Sequence, residues 1–317
     1  MKTKIQKLYY TIFLIIVITI SSFYPVTIDA IQSSSMLNDV NTKESIQDLE
    51  ITHHDTNYWA LLVAVGVYKD TPIMDRPQML YEIDNIYTTL LSSQNWKENN
   101  IKIIAGKNAT LLNIFKGFKW LDKMEGEDDT CLVYLTTHGF PILADLPPFD
   151  ENDNMDEALA TYTGFLPYNN PWSWEPLANP LGIITDDVIN FLLNNLEAKG
   201  VCMIVDSCYS GGFNDNWNYF CSDGTSSTFK NQGYIKENLD PNRIVLTSVG
   251  ENDISWGSYF SHFLAEGMKG HADNNRDGIC SVEEIFQYAT PIVLSLGLNP
   301  QIFDEYPGEL PLIEISP

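Results

Sequence analysis

Positive charge is scarce in this chain, whose 317 residues include 18 Lys and Arg against 42 Asp and Glu, a formal net charge of −24 at pH 7. Proteins that bind nucleic acid need clustered cations to neutralise phosphates. No basic patch departs from the acidic average, so we expect no nucleic-acid partner. Short pairs of zinc ligands are also missing, because no two Cys or His residues have C-x-x-C or H-x-x-x-H spacing.

Apolar residues, in contrast, are plentiful. They make up 44% of the chain, aromatic residues 12% and charged residues 19%. This composition is typical of a globular protein with a substantial core and not of a disordered acidic tail. Length alone suggests about two domains, but the N-terminal segment changes that estimate.

The N-terminus has the order of an export signal. Three lysines within the first seven residues precede an uncharged apolar run at 8–24, and Ala30 offers a small residue for cleavage. Cleavage there would remove three Lys and one Asp and change the net charge from −24 to −26. An uncleaved anchor is the alternative, because about 17 residues is near the lower limit for crossing a bilayer.

We therefore divide the chain into a signal peptide or anchor at 1–30, a polar spacer at 31–57 and one domain at 58–317. The protein is expected to be secreted, extracellular or held in the cell envelope. If the anchor is retained, the domain lies outside the membrane and the anchor is its only membrane contact. Five cysteines are an odd number, so one thiol would stay free even if four formed disulfides.

From Tyr58 onward, short apolar runs alternate with helical patterns, while residues 140–180 look irregular and hold many of the prolines. The predicted strands are Trp59–Val67, Lys102–Ala105, Thr130–Leu135, Val201–Val205 and Arg243–Thr247, and an apolar segment at Leu310–Ile315 ends the domain. The predicted helices are Gln78–Leu91, Thr110–Lys123, Asp186–Leu196 and two that begin near Ser258 and Val282. This alternation predicts an α/β fold with a mostly parallel sheet covered on both faces. In such sheets functional residues gather beyond the carboxyl ends of strands.

Two of these strand ends carry reactive side chains. The third strand runs into His138-Gly139, and the fourth runs into Asp206-Ser207-Cys208 with glycines at 211 and 212. An imidazole can serve as general base and acid, and a thiolate attacks carbonyls. The glycines would let backbone amides approach an oxyanion, each well-aimed amide contributing about 3 kcal/mol. The alternatives are a hydrogen-bonded structural histidine and a buried or disulfide-bonded cysteine.

Together these motifs resemble the caspase-fold cysteine peptidases, the group that contains caspases, metacaspases, legumains and gingipains. The resemblance rests on a strand followed by His-Gly and a strand followed by Asp-x-Cys-x-Ser-Gly, 70 residues apart, and it covers about Trp59 to Ile315. Asp206–Gly211 is most similar to metacaspases and prokaryotic caspase-like peptidases, since legumains usually carry Glu where Asp206 stands. The resemblance implies a three-layer sandwich with a mostly parallel six-stranded sheet and helices on both faces.

The resemblance also implies the chemistry, that of an exported cysteine endopeptidase acting on proteins or peptides. Cys208 would form a thioester acyl-enzyme that water hydrolyses, and His138 would be its acid and base. The amides of Gly139 and Cys208 would stabilise the oxyanion. No cofactor is required for this chemistry.

Substrate contacts are implied by the same resemblance. Asp206 and Asp84 would form an acidic primary pocket and favour cleavage after Arg or Lys. The alternatives are a structural carboxylate at Asp206 and an ordinary exposed helix residue at Asp84. Ser248 would pair with the substrate backbone, and Trp256 would line a neighbouring subsite.

A twelve-residue stretch, Asp273–Glu284, matches the calcium loop of an EF-hand. Gly278 stands at position six, and the expected ligands are Asp273, Asn275, Asp277, Ile279, Ser281 and Glu284. We expect a structural calcium ion. The alternative is a capping box, in which Ser281 and Glu284 begin the next helix and the preceding residues form a polar turn.

Three other functions remain open at this stage. The first is legumain-like cleavage after Asn or Asp, and the second is an inactive caspase-fold domain used for binding or scaffolding. The third is a calcium-binding module in which the His and Cys are incidental. In addition, Phe213–Asn242 lies where many relatives are cut during maturation, and Lys230 and Lys236 are the basic candidates for self-cleavage.

Overall fold

The structure is a computed structural model that describes residues 56–142, 156–167, 177–211, 242–250 and 253–315. The predicted signal at 1–30, nearly all of the spacer at 31–57 and nearly all of the predicted self-cleavage segment, with Lys230 and Lys236, lie outside these residues. Within the described ranges, no helix is both long enough and apolar enough to cross a bilayer. The export signal and the domain boundaries therefore stay predictions.

Eleven strands and five α-helices organise the described residues. The strands are β1 (Tyr58–Ala64), β2 (Ile101–Ala105), β3 (Thr130–Thr136), β4 (Gly139–Ile142), β5 (Asp156–Ala160), β6 (Ile183–Thr185), β7 (Gly200–Asp206), β8 (Arg243–Thr247), β9 (Ile279–Ser281), β10 (Gln301–Asp304) and β11 (Pro311–Glu314). The helices are α1 (Gln78–Ser92), α2 (Leu111–Met124), α3 (Asp186–Leu193), α4 (Tyr259–Glu266) and α5 (Val282–Ser295).

The central sheet has six strands in the order β10-β8-β7-β3-β1-β2. Five are parallel, and β10 runs antiparallel to β8 at one edge. The mostly parallel sheet predicted from the alternating pattern is confirmed. The sequence pattern did not reveal β10, because its four residues are partly exposed and include the polar ends Gln301 and Asp304.

Both faces of the sheet are buried, which explains why its central strands are almost continuously apolar. Side chains such as Leu61 and Val63 of β1 point into a core shared with α2 and α3. Their neighbours Leu62 and Ala64 point into a second core shared with α1, α4 and α5. The three-layer sandwich is therefore confirmed.

The predicted first strand is too long at its end. It stops at Ala64 because Gly66 adopts a positive φ of 61° and turns the chain away from the sheet. A Cβ atom at Gly66 would lie 2.7 Å from Cγ of Leu80, so the turn needs glycine both for its backbone angle and for space. This turn begins the loop that carries Met74, whose carbonyl contacts His138.

The interpretation of 140–180 as irregular is wrong in part. β4 and β5 pair with each other, and β6 joins them in a three-stranded antiparallel sheet. The sequence of β5, Asp-Glu-Ala-Leu-Ala, contains mostly residues that are depleted in strands, so propensity hid it. The small sheet begins one residue after His138, and it therefore fixes the chain that leaves this residue.

Glu125, at the end of α2, is expected to make stability depend on pH. Burial, together with the charges of Asp122, Glu197 and Asp129, raises the pKa of its carboxyl to about 7. The folded carboxyl binds a proton more tightly than the unfolded one, so stability falls as pH rises from about 4.5 to 7. The carboxyl Oε1 accepts a 2.8 Å hydrogen bond from the Glu197 amide, which a glutamine carbonyl can also accept.

We therefore expect Glu125→Gln to be more stable than the wild type by about 1 kcal/mol at pH 8. At pH 4.5 the two proteins should be nearly equal. Urea denaturation at both pH values measures the difference. A stability difference that is the same at pH 4.5 and pH 8 would contradict the raised pKa.

Candidate active site

Cys208 lies in a tight turn just after β7. Tyr209 follows it with a positive φ of 55°, an uncommon conformation for a residue with a side chain. The Cys208 Sγ donates to the carbonyl oxygen of Ser255 at 3.2 Å. Burial raises the pKa of the Cys208 thiol, and the negative charge of Asp206 raises it further. The thiol therefore rests in its protonated form.

His138 lies two residues after β3, and its ring is oriented by a backbone group. Its Nε2 is 2.8 Å from the carbonyl oxygen of Met74. Because a carbonyl oxygen can only accept, this contact assigns the proton to Nε2 and leaves Nδ1 as the acceptor of the neutral ring. Burial lowers the pKa of His138, and the positive charge of Arg76 adds to this effect. The imidazole is therefore in the form that can accept a proton at neutral pH.

The sheet places these two residues at equivalent positions. β3 and β7 are adjacent parallel strands with Thr136 paired to Asp206, and His138 and Cys208 each follow two residues later. Gly139 lies so close to the Cys208 carbonyl and the Ser207 hydroxyl that an added Cβ would overlap both. The His-Gly turn and the nucleophile turn therefore touch, as the strand-end argument predicted.

Asp206 is the last residue of β7, two residues before Cys208, and its side chain is hydrogen-bonded and only 4% exposed. Its Oδ1 accepts from the Ser255 hydroxyl at 3.1 Å, and its Oδ2 accepts from the hydroxyl and amide of Ser261 at 2.6 and 3.2 Å. These bonds fix the segment that carries the Ser255 carbonyl and the start of α4. They correspond to the structural alternative for Asp206, and a role in substrate binding stays a prediction.

Asp84 and its neighbour Glu82 lie on different sides of α1. Asp84 is exposed, whereas Glu82 is buried and its Oε2 accepts from the side-chain Nδ2 of Asn85 at 3.0 Å. Glu82 Oε1 also lies 3.4 Å from Nδ1 of His262. Burial raises the pKa of Tyr134, and the negative charges of Asp206 and Glu82 raise it further. Sequence reasoning did not select Glu82, although its helical position beside apolar residues on α1 indicates an inward direction.

Ser248 and Trp256 occupy different environments beside the nucleophile turn. Ser248 is fully buried, and its hydroxyl donates to the Ser207 carbonyl at 3.0 Å and accepts from the Ser207 amide at 3.1 Å. It thus braces the turn. Trp256 is 52% exposed next to Ser255, with its ring edge-on to Tyr259 at 5.9 Å, and its role in a subsite stays a prediction.

The predicted calcium loop is a compact turn in the structure. The Asp277 amide donates to Asp273 Oδ1 at 3.2 Å and to Asn275 Oδ1 at 2.8 Å, while the Gly278 amide donates to Asp273 Oδ2 at 3.2 Å. The backbone of Ile279–Ser281 forms β9, which pairs with β11. Loop oxygens thus point at backbone amides, as in the polar-turn alternative.

Glu284, the expected bidentate ligand, takes part in a capping box. The Ser281 hydroxyl accepts from the Glu284 amide, and the Glu284 carboxylate accepts from the Ser281 amide at 3.2 Å. In the part of the chain that the structure describes, no three His, Cys, Asp or Glu side chains are gathered as a metal site. The side chains of the loop nonetheless carry the oxygen donors that calcium prefers, and Gly278 makes the sharp turn of such a loop with a positive φ of 86°. Calcium binding therefore stays a proposal.

Three groups near the reactive pair were not found from the sequence. They are the Met74 carbonyl, the Tyr68 side chain and Arg76, all from the loop between β1 and α1. A backbone carbonyl leaves no sequence signal. Arg76 offered one, since it is one of only three arginines in the chain and follows the first buried strand.

Comparison with solved structures identifies the fold. The chain is similar to caspase-1 from Spodoptera frugiperda, with a TM-score of 0.51 and 13% identity over 83% of this chain and 92% of that chain. It is also similar to a protein from Geobacter sulfurreducens, with a TM-score of 0.50 and 14% identity over 78% and 92% of the two chains. No family model and no curated protein matches the sequence. The chain has a caspase-like fold.

Proposed function

We propose that the protein is a cysteine endopeptidase that uses Cys208 as nucleophile and His138 as acid and base. One observation carries the proposal: both residues follow adjacent parallel strands at the same register position, and their turns touch at Gly139. The caspase-like fold supports it, because the similar structures include a caspase-1. An export signal would place this activity outside the cell.

The resting geometry suggests the order of proton transfers. The thiol donates to the Ser255 carbonyl and the imidazole is neutral, so the pair starts uncharged. When substrate binds, the proton moves from Cys208 Sγ to His138 Nδ1, and the Met74 carbonyl holds the resulting imidazolium through Nε2–H. The thiolate then attacks the peptide carbonyl, and the amides of Gly139 and Cys208 stabilise the oxyanion.

The remaining steps return the enzyme to its starting state. His138 donates its proton to the leaving amine as the carbon–nitrogen bond breaks, which leaves a thioester on Cys208. His138 then takes a proton from water, and the hydroxide formed attacks the thioester carbonyl. The carbon–sulfur bond breaks, the carboxylic acid product leaves, and the proton on His138 returns to the sulfur.

Two substrate preferences have support. Asp84 and Asp206 favour cleavage after Arg or Lys. The second candidate, cleavage after Asn or Asp, is favoured by Arg76, which lies two residues after Met74, whose carbonyl contacts His138 Nε2. The Arg76 side chain is exposed, and its Nη1 donates to the carbonyl oxygens of Ile73 and Asp75 at 3.3 and 2.8 Å. A guanidinium there would bind a carboxylate or amide oxygen and would repel a basic side chain.

A peptide panel tests both the activity and the preference. Purified protein, with and without calcium, is assayed on matched peptides that end in Arg, Lys, Asn or Asp before the reporter group. Turnover of the Arg and Lys peptides supports the acidic pocket, and turnover of the Asn or Asp peptides supports Arg76. Absence of turnover on every peptide would reject the peptidase and leave the binding or scaffold alternative.

We also propose that Asp273–Glu284 binds a structural calcium ion. Glu284→Gln removes one negative charge from the loop, so calorimetry should show at least about a tenfold loss of calcium affinity. Glu283→Gln is the matched control, because Glu283 instead accepts from the Leu310 amide at 3.0 and 3.1 Å. Equal calcium affinity in the two variants, or no calcium binding by the wild type, would favour the capping box alone.

A further inference from the structure

The loop between β1 and α1, residues 66–76, forms a closed unit that we name the β1 loop. The Arg76 amide donates to the Gly66 carbonyl at 2.8 Å and closes its neck. Inside the loop, the Tyr68 amide donates to Asp75 Oδ1 at 2.8 Å. Tyr68 is only 4% exposed and points toward the end of β3. The loop therefore presents a fixed phenol to the residues around His138.

A chain of hydrogen bonds passes through the Tyr68 hydroxyl. It accepts from the His138 amide at 3.0 Å and lies 2.8 Å from the Thr137 hydroxyl. Thr137 uses its one proton to donate to the Ala160 carbonyl at 2.5 Å, so Tyr68 must be the donor to Thr137. The direction is therefore from the His138 amide to Tyr68, from Tyr68 to Thr137, and from Thr137 to Ala160.

The chain closes on His138 itself. The Ala160 amide donates to the His138 carbonyl at 2.8 Å. Both backbone polar groups of His138 are thus satisfied by a ring of bonds in which Tyr68 is the only side chain from the β1 loop. Burial raises the pKa of Tyr68 to about 12, so its hydroxyl keeps the proton it donates at any working pH.

The aromatic ring of Tyr68 also contacts the imidazole. The two ring centroids are 5.2 Å apart with planes inclined by 36°. Phe165 lies edge-on to the imidazole at 5.8 Å and to Tyr68 at 5.1 Å. The same loop supplies the Met74 carbonyl that accepts from Nε2. Backbone, ring plane and tautomer of His138 are therefore set by groups that the β1 loop holds together.

We propose that Tyr68 is a positioning residue for His138, its hydroxyl fixing the backbone of the base and its ring fixing the imidazole plane. Asp75 acts one step further away, because it holds Tyr68 through its amide. This inference rests on the proposed function, because it concerns the residue that positions His138, the base of that reaction.

The first test removes one oxygen atom. In Tyr68→Phe the ring contact is retained and the bonds to His138 and Thr137 are lost. We expect kcat on the best panel peptide to fall about tenfold with KM changed less than twofold, because the base is displaced and binding is not. The acid limb of the kcat/KM profile should move toward pH 6.5 as water reaches the imidazole.

Tyr58→Phe is the matched control. Tyr58 is also a buried tyrosine, and its ring packs against Trp96 with the centroids 5.4 Å apart, but it lies at the opposite end of β1. Loss of its hydroxyl should leave kcat and the pH profile unchanged. If Tyr68→Phe lowers only thermal stability and keeps the wild-type kcat and pH profile, the positioning role is wrong.

A second readout does not depend on turnover. NMR of the full chain, with the His138 signals identified by their loss in His138→Ala, should show amide exchange at His138 at least about tenfold faster in Tyr68→Phe. The imidazole should also titrate at higher pH. An inactive wild type would reject the proposed function and leave this result standing, whereas unchanged His138 signals would overturn the positioning role.

Asp75 supplies a further pair of variants if Tyr68→Phe does not fold. Asp75→Asn keeps an oxygen that can accept from the Tyr68 amide, and Asp75→Ala removes it. The alanine variant should show the lowered kcat and shifted pH profile, and the asparagine variant should resemble the wild type. Equal behaviour of the two would contradict the proposed support.

Discussion

Replacing Cys208 with alanine should reduce peptidase turnover to background, a loss of at least about 1000-fold. The reason is that no covalent intermediate can form without the sulfur, and the remaining site offers only binding and oxyanion contacts. His138→Ala should lose a similar factor, because the thiol has a raised pKa and depends on the imidazole to become a thiolate. The double variant should be no worse than either single variant. Turnover is measured on the best panel peptide.

Cys202→Ala is the control for this experiment. Cys202 is a fully buried thiol inside β7, whose pKa burial raises well above its ordinary value. Its loss leaves a small cavity in the core and touches no reacting group. The folded variant should keep wild-type kcat. Equal turnover in Cys208→Ala and the wild type would contradict the proposed mechanism.

Gly139→Ala should inactivate the protein and also destabilise it. An added Cβ overlaps the Cys208 carbonyl and the Ser207 hydroxyl, and these lie in a turn that Ser248 braces from behind. The nucleophile turn would lose its hydrogen bonds to Ser248 if it moved, so the His-Gly turn must move away from it instead. We expect kcat/KM to fall at least about 100-fold and the free energy of unfolding to fall by about 2 kcal/mol.

Gly126→Ala controls for the loss of glycine in a loop. A Cβ at this position meets only Asp129 Oδ2, at 4.0 Å. The backbone N–H of residue 126 donates a hydrogen bond to the same carboxylate, and alanine keeps this N–H. This variant should keep both stability and activity. If folded Gly139→Ala shows wild-type kcat/KM, the contact between the two turns does not position the reactive pair.

The strand ends could be predicted from sequence because the signal is strong and local. Runs such as Thr130–Leu135 and Val201–Val205 are too apolar for an exposed element and too short for a buried helix. Parallel pairing then brings their carboxyl ends together without any knowledge of side-chain contacts. The mostly parallel sheet and the shared position of His138 and Cys208 follow from these two facts, whereas the caspase-like fold was implied by the resemblance of the two motifs.

Other features depend on contacts between distant segments, and sequence patterns do not encode them. The Met74 carbonyl reaches His138 across 64 residues of chain, and the Tyr68 hydroxyl reaches it across 70. Asp206 carried a recognisable motif, yet its neighbours Ser255 and Ser261 come from a segment far along the sequence. The sequence motif singled out Asp206 as a candidate functional residue, but only the fold shows that its carboxylate accepts hydrogen bonds from Ser255 and Ser261.

The substrate pocket shows the same limit from another side. A resemblance places carboxylates at Asp84 and Asp206, but it does not report that the oxygens of Asp206 accept hydrogen bonds from Ser255 and Ser261, or that Arg76 follows the Met74 carbonyl that contacts His138. Charge in a pocket is a sum over all groups that face it. The preference therefore has to be read from the peptide panel.

Thiol reactivity tests the central claim most directly, because it needs no knowledge of the substrate. Full-length protein is treated with a small electrophile that alkylates thiolates, and adducts are located by mass spectrometry. Among the four cysteines that the structure describes, we predict an adduct at Cys208 alone, formed at least about 100-fold more slowly in His138→Ala. Cys131, Cys202 and Cys280 are buried and should stay unmodified. Alkylation of Cys208 at the same rate in the wild type and His138→Ala would contradict the account.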